Sequence, residues 1–141
     1  MKFKAVLFAM VVLIALSGGG PALAESGPSN ERIIAYYFYG GVRCSSCMLL
    51  EKYTGDAMMR WFPEQISAGQ VEYRPVDLEK SGNEHFVKDF QLFSKAVVLV
   101  DTKDGRTVRW KNLDKVWSLL GDRDKFQQYI RDEVATFLES E

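Results

Sequence analysis

Cys44 and Cys47 are the only cysteines in a chain of 141 residues, and two serines separate them. Two thiols at this spacing can close into a disulfide, reopen to a dithiol, and so pass two electrons by thiol–disulfide exchange. The run before them, Ile33-Ile34-Ala35-Tyr36-Tyr37-Phe38-Tyr39, is β-branched and aromatic. Gly40-Gly41 then turns the chain, and a helical pattern follows. The pair therefore falls where a strand hands over to the start of a helix. There, unpaired backbone N–H groups and the helix dipole favour a thiolate. Cys44, at the cap and beside Arg43, is the expected nucleophile. Cys47, one turn further in and less exposed, is the expected resolving thiol. A purely structural disulfide closing so short a loop removes little chain entropy and stabilises poorly.

The neighbours of the pair carry weaker signals. Arg43 either tunes Cys44 or steers an acidic partner, or is simply a solvated surface arginine. Glu51 lies four residues after Cys47 on the same helix face, where it accepts a proton from Cys47 or pairs with a surface cation. His85 is the only histidine. A site for zinc or copper would need it beside both cysteines, and the ligand count and spacing fall short of that, so no metal is expected.

The elements that must position these residues can be read in order. Residues 33–39 form a strand buried on both faces. A helix runs from the cysteines to about Phe62, with Leu50, Tyr53, Ala57 and Trp61 on one apolar stripe, and Pro63 ends it. Gly55 inside it costs about 1 kcal/mol relative to Ala and marks a kink or a close contact. Val71 to Leu78 reads as a second strand, and Pro75 within it demands a sheet edge or a bulge. Asn83 is expected to cap a short helix from Glu84 to about Leu92. Ala96 to Asp101 is another buried strand, Asp104-Gly105 a hairpin turn, and Thr107 to Trp110 the returning strand. Leu113, Val116, Trp117 and Leu120 form a short amphipathic piece. Asp122 caps a long final helix whose apolar face holds Phe126, Tyr129, Ile130, Val134, Phe137 and Leu138. Trp110 and Trp117 are expected to pack, and Asp101, Asp104 and the acidic helices to form a solvated face.

The amino terminus reads as a secretory signal peptide. Lys2 and Lys4 precede the apolar run Ala5 to Leu16, and Ala22-Leu23-Ala24 offers a cleavage site after Ala24. Twelve apolar residues fall short of the roughly 20 that span a bilayer, so no stable membrane span is expected after cleavage. Residues 25–32 would then be a short polar leader, and 33–141 one domain with its own core. Cleavage removes two lysines and no acid, taking the formal charge from −1 to −3. No basic stripe remains for nucleic acid. The expected location is periplasmic or extracellular, where two thiols at this spacing can oxidise.

Tyr36-Tyr37-Phe38-Tyr39-Gly40-Gly41-Val42-Arg43-Cys44-Ser45-Ser46-Cys47, followed by Glu51, resembles the thioredoxin-like superfamily. With Asn83 to Phe90 and Trp110 to Trp117, it resembles more closely the small exported proteins of the nitrophenyl compound nitroreductase subunit ArsF family. The resemblance covers about residue 33 to the end. It implies an α/β, minimal thioredoxin-like fold: a four-stranded mixed sheet in the order β-α-β-α-β-β-α, flanked by helices, with the second strand at the edge. It also implies that Cys44 and Cys47 are the functional pair. Three positions depart from the thioredoxin pattern. Arg43 stands where Trp is usual. Phe38 aligns with the buried acid beneath the dithiol. Lys95-Ala96 aligns with the loop whose cis-proline faces the dithiol and contacts substrate. No proline is there, so a trans bond is expected.

The expectation is an exported thiol–disulfide oxidoreductase acting on a protein disulfide or a partner redox protein, with no dissociable cofactor. No Gly-rich phosphate loop suggests a flavin site. Two other readings stand beside it: a non-enzymatic accessory or metal-binding module, and an electron-delivering subunit of a larger reductase. Oligomeric state and the direction of electron flow are open.

Overall fold

The computed structural model describes residues 30–140. The expected signal peptide and most of the expected leader lie outside the described residues. The elements are β1 (Glu31–Tyr39), α1 (Ser45–Trp61), α2 (Pro63–Ser67), β2 (Val71–Asp77), α3 (His85–Asp89), β3 (Ala96–Lys103), β4 (Arg106–Asn112), α4 (Val116–Leu119) and α5 (Arg123–Glu139). The four strands form one mixed sheet in the order β2-β1-β3-β4. β2 runs parallel to β1, while β3 is antiparallel to both β1 and β4. This is the expected thioredoxin-like arrangement. Pro75 sits in β2, an edge strand paired only with β1, where its missing N–H breaks no second ladder.

The sheet separates two apolar layers. Ile33, Ala35, Tyr37, Val71, Val97 and Leu99 face α1 and α5, meeting Leu50, Ala57, Met58, Phe126, Ile130, Val134 and Phe137. Ile34, Tyr36, Phe38, Val76, Val98 and Val100 face the other way, toward Phe90 and Leu92. Burial of β1 and β3 on both sides explains their continuous apolar runs. Asp104 and Gly105 both have positive φ, 52° and 74°, as the hairpin turn between β3 and β4 requires. Asp122 caps α5 by accepting from the Lys125 N–H at 3.1 Å.

Several local readings are corrected. The first strand begins at Glu31 rather than at residue 33, because Glu31 and Arg32 pair with Lys103 and Thr102 of a longer β3. Pro63 does end α1, but it also opens α2 as its first residue, where its missing N–H costs nothing. Asn83 does not cap α3; its side-chain amide instead donates to the Asp77 carbonyl at 2.8 Å, and α3 has no side-chain cap. The buried row of α1 is Cys47, Leu50, Thr54, Ala57 and Met58. Trp61 is left outside, beneath the guanidinium groups of Arg60 and Arg131. Trp110 does pack, edge-on against Phe90 with ring centres 5.5 Å apart, though it and Trp117 both keep part of their surface exposed. Asp101 is 9% exposed and is bonded by Arg109 Nε at 3.0 Å, so it does not belong to the solvated face.

Candidate functional site

Cys44 has extended backbone angles (φ −76°, ψ 163°) and is the N-cap of α1. Its Sγ accepts a hydrogen bond from the Cys47 N–H at 3.2 Å, while its carbonyl accepts the first helical bond from the Met48 N–H at 3.0 Å. The sulfur thus occupies the position of a capping oxygen, facing the positive end of a 17-residue helix. No acidic residue lies in that first turn. Cys44 and Cys47 are joined as a disulfide, with Cα atoms 5.0 Å apart. The two ends of this bond differ. Cys44 is exposed, whereas Cys47 is 2% exposed, on the buried face of α1. An incoming sulfur can reach Cys44 and leave Cys47 as the departing or returning partner.

The other expected site residues divide. Arg43 and Glu51 meet as an ion pair, and the Arg43 guanidinium lies 4.6 Å from the centre of the Tyr39 ring. Glu51 is therefore engaged with Arg43, the residue that precedes Cys44. Lys95 and Ala96 lie at the same end of the sheet as the dithiol, because Ala96 pairs with Phe38 near the end of β1. The Lys95 carbonyl accepts from Trp117 Nε1 at 3.2 Å, and every peptide bond among the described residues is trans. His85 is not at the site; its Nδ1 lies 2.8 Å from the Gly82 carbonyl on an exposed turn. Among the described residues, no three His, Cys, Asp or Glu side chains group as a metal site.

One alignment is corrected by the structure. Phe38 points away from the dithiol into the layer with Phe86 and Phe90. The residue beneath α1 is Tyr37, whose buried hydroxyl donates to the Cys47 carbonyl at 2.9 Å. Tyr73 of β2 does the same one turn later, donating to the Glu51 carbonyl at 3.1 Å. Gly55 makes room for it, since a Cβ there would lie 3.1 Å from the Tyr73 ring. The glycine thus marks a close contact. Burial pushes both phenols above their usual range, so they remain protonated donors.

Sequence reading missed Tyr37 because β1 is apolar on both faces and its alternation shows no parity. It also missed Val42 and Phe93, which are exposed on the loops flanking this end of the sheet. Phe93 lines a shallow cavity of about 310 Å³ with Gly40, Leu78, Val87, Leu92 and Lys95. The larger cavity, about 550 Å³, lies elsewhere, on the Ile34 and Tyr36 face of the sheet, and does not include the cysteines.

No known family and no curated protein matches the sequence. Among solved structures the chain is similar to thioredoxin-2, a component of malaria parasite protein secretion machinery. Identity is 17% over 64% of this chain and 82% of that one, with a TM-score of 0.39. It is also similar to a thioredoxin from Thermus thermophilus, at 11% identity over 58% of each chain and a TM-score of 0.35. The thioredoxin-like arrangement rests on the strand order and the helix placement described above.

Proposed function

We propose that this protein is an exported thiol–disulfide oxidoreductase. In the reduced form, the Cys44 thiolate attacks a substrate disulfide, forming a mixed disulfide and releasing the other substrate sulfur as a thiolate. The Cys47 thiolate then attacks Cys44 Sγ. The Cys44–Cys47 bond forms, the mixed bond breaks, and the second substrate sulfur leaves with its electron pair. Run backwards, the same steps oxidise a substrate dithiol. The supporting observation is the asymmetry of the disulfide: an exposed cysteine whose sulfur caps a helix, with its partner buried behind it. Among the other expected site residues, Arg43 and Glu51 act as a pair that moderates the charge next to Cys44. The loop at Lys95 and Ala96 borders the approach of a partner protein.

Export rests on the amino-terminal pattern of residues 1–24. The narrower kinship with the ArsF family rests on residues 36–47, 83–90 and 110–117, and it extends the proposal to a redox partner protein as the substrate. The test is a redox titration of the mature chain with thiol trapping. The expected result is reversible cycling of Cys44 and Cys47 within the range of known exchange proteins. A pair that never cycles, or cycles only below about −300 mV as inert structural disulfides do, ends the proposal.

A further inference from the structure

Cys47 leaves and re-forms the disulfide as a thiolate, yet it is 2% exposed and stands on the buried row of α1 with Leu50, Thr54, Ala57 and Met58. An unpaired charge in such a place is strongly disfavoured, so its sulfur needs a donor from inside the protein. The cap N–H of Cys47 is directed to Cys44 and cannot also serve Cys47's own sulfur. Tyr37 is fully buried, and its hydroxyl already bonds residue 47, through the carbonyl oxygen at 2.9 Å. In a regular helix that carbonyl has its own partner in the N–H four residues on. The tyrosine bond is therefore additional, and the O–H rotor can re-aim without orphaning the carbonyl.

The geometry points to Tyr37 as the donor that stabilises the Cys47 thiolate, turning from the Cys47 carbonyl to the Cys47 sulfur when the disulfide opens. This rests on the exchange function proposed above and deepens it. Tyr37 keeps its own proton throughout, because burial holds the phenol above its usual range. The proton of the Cys47 thiol goes to solvent before attack, and the hydrogen bond lowers the cost of that loss. The ionisable groups near the Tyr37 hydroxyl are Arg43, Tyr39 and Tyr73. Arg43 is paired with Glu51, and Tyr73 is committed to the Glu51 carbonyl. Tyr37 is thus a positioning residue for the resolving sulfur.

The experiment follows the reduced, mature protein with dithionitrobenzoate, a chromogenic aromatic disulfide. The first thiolate release reports Cys44, and the second reports attack by Cys47. In Tyr37→Phe the first release stays within about twofold. The second slows about tenfold at neutral pH and converges with the unmutated rate at high pH, where Cys47 ionises unaided. Tyr73→Phe, which removes the neighbouring anchor on the same helix, leaves the second release unchanged. A Tyr37→Phe pH profile that superimposes on the unmutated one overturns the inference, as does equal slowing by Tyr73→Phe. Absence of a second release in the unmutated protein instead overturns the exchange function itself. A readout without mutation uses carbon-13 shifts in the reduced protein. The Tyr37 ring carbon bearing oxygen should move with the same midpoint as Cys47 Cβ, and a Tyr37 signal that ignores that midpoint overturns the inference.

Discussion

Placing a sulfur at a helix cap has a measurable consequence that does not depend on finding a substrate. The perturbation is made in a Cys47→Ala background, so that no disulfide forms and the loss of the buried sulfur is common to every variant. Cys44 is then kept, or changed to Ser or to Ala. Cys44 accepts from the residue 47 N–H at 3.2 Å, and no acid in the first turn of α1 can replace it. Alanine therefore leaves that N–H without a side-chain partner, whereas serine restores one. The expected gap between the Ser and Ala variants is about 1 kcal/mol, or about 4 °C in Tm for a domain of this size. It should not vary with pH between about 6 and 9.5, since neither side chain ionises there. The variant retaining Cys44 behaves differently. If the helix end stabilises its thiolate, folding favours the ionised form. Its stability should then rise with pH and be fully present above the unfolded-state value near 8.5. Urea unfolding across that range measures both effects. If Ser and Ala are equally stable and the thiol variant shows no pH dependence, the helix end does not hold the charge. The reasoning for Cys44 as nucleophile then fails.

Three further outcomes follow from named contacts. Glu51→Gln releases Arg43 from its ion pair and should speed alkylation of reduced Cys44 about two- to threefold at low salt, while Arg43→Ala changes it less, as stopped-flow alkylation would show. Arg109→Met removes the guanidinium that bonds both buried Asp101 and the Phe137 carbonyl near the end of α5. It should cost about 2 kcal/mol in denaturant unfolding, and adding Asp101→Asn should recover part of the loss. Asp122→Ala removes the α5 cap and should lower the Tm by a few degrees at neutral pH. The Asp122 carboxyl is held below its usual range by the backbone and side chain of Lys125, so its contribution is present above about pH 4 and fades on acidification. The gap between Asp122→Ala and the unmutated protein should therefore close in acid, and a constant gap would count against the cap.

Much of the architecture was legible because its signals are local. Pro75 can only be tolerated where a ladder is missing, and it lies on the edge strand. Asp104-Gly105 and Asp122 specify their turn and cap through their own backbone and side-chain chemistry. The cysteine spacing directly after a strand marks Cys44 as the residue at the helix end, and it is the N-cap of α1. The boundaries were less legible. β1 and β3 extend past their apolar runs through the pairing of Glu31 and Arg32 with Lys103 and Thr102, a contact between polar residues about 70 positions apart.

What the sequence determined by itself is therefore the order of elements, the edge strand and a sulfur at the start of a helix, all set by interactions within a few residues. Only the tertiary structure decided which face of β1 meets that helix, and so that Tyr37 rather than Phe38 lies beneath Cys47. It also decided that Arg43 is matched by Glu51, and that Asp101 is buried against Arg109. The physical reason is the same in each case. A strand apolar on both sides carries no period-two signal, and a charge shows its partner only once separate elements have packed together.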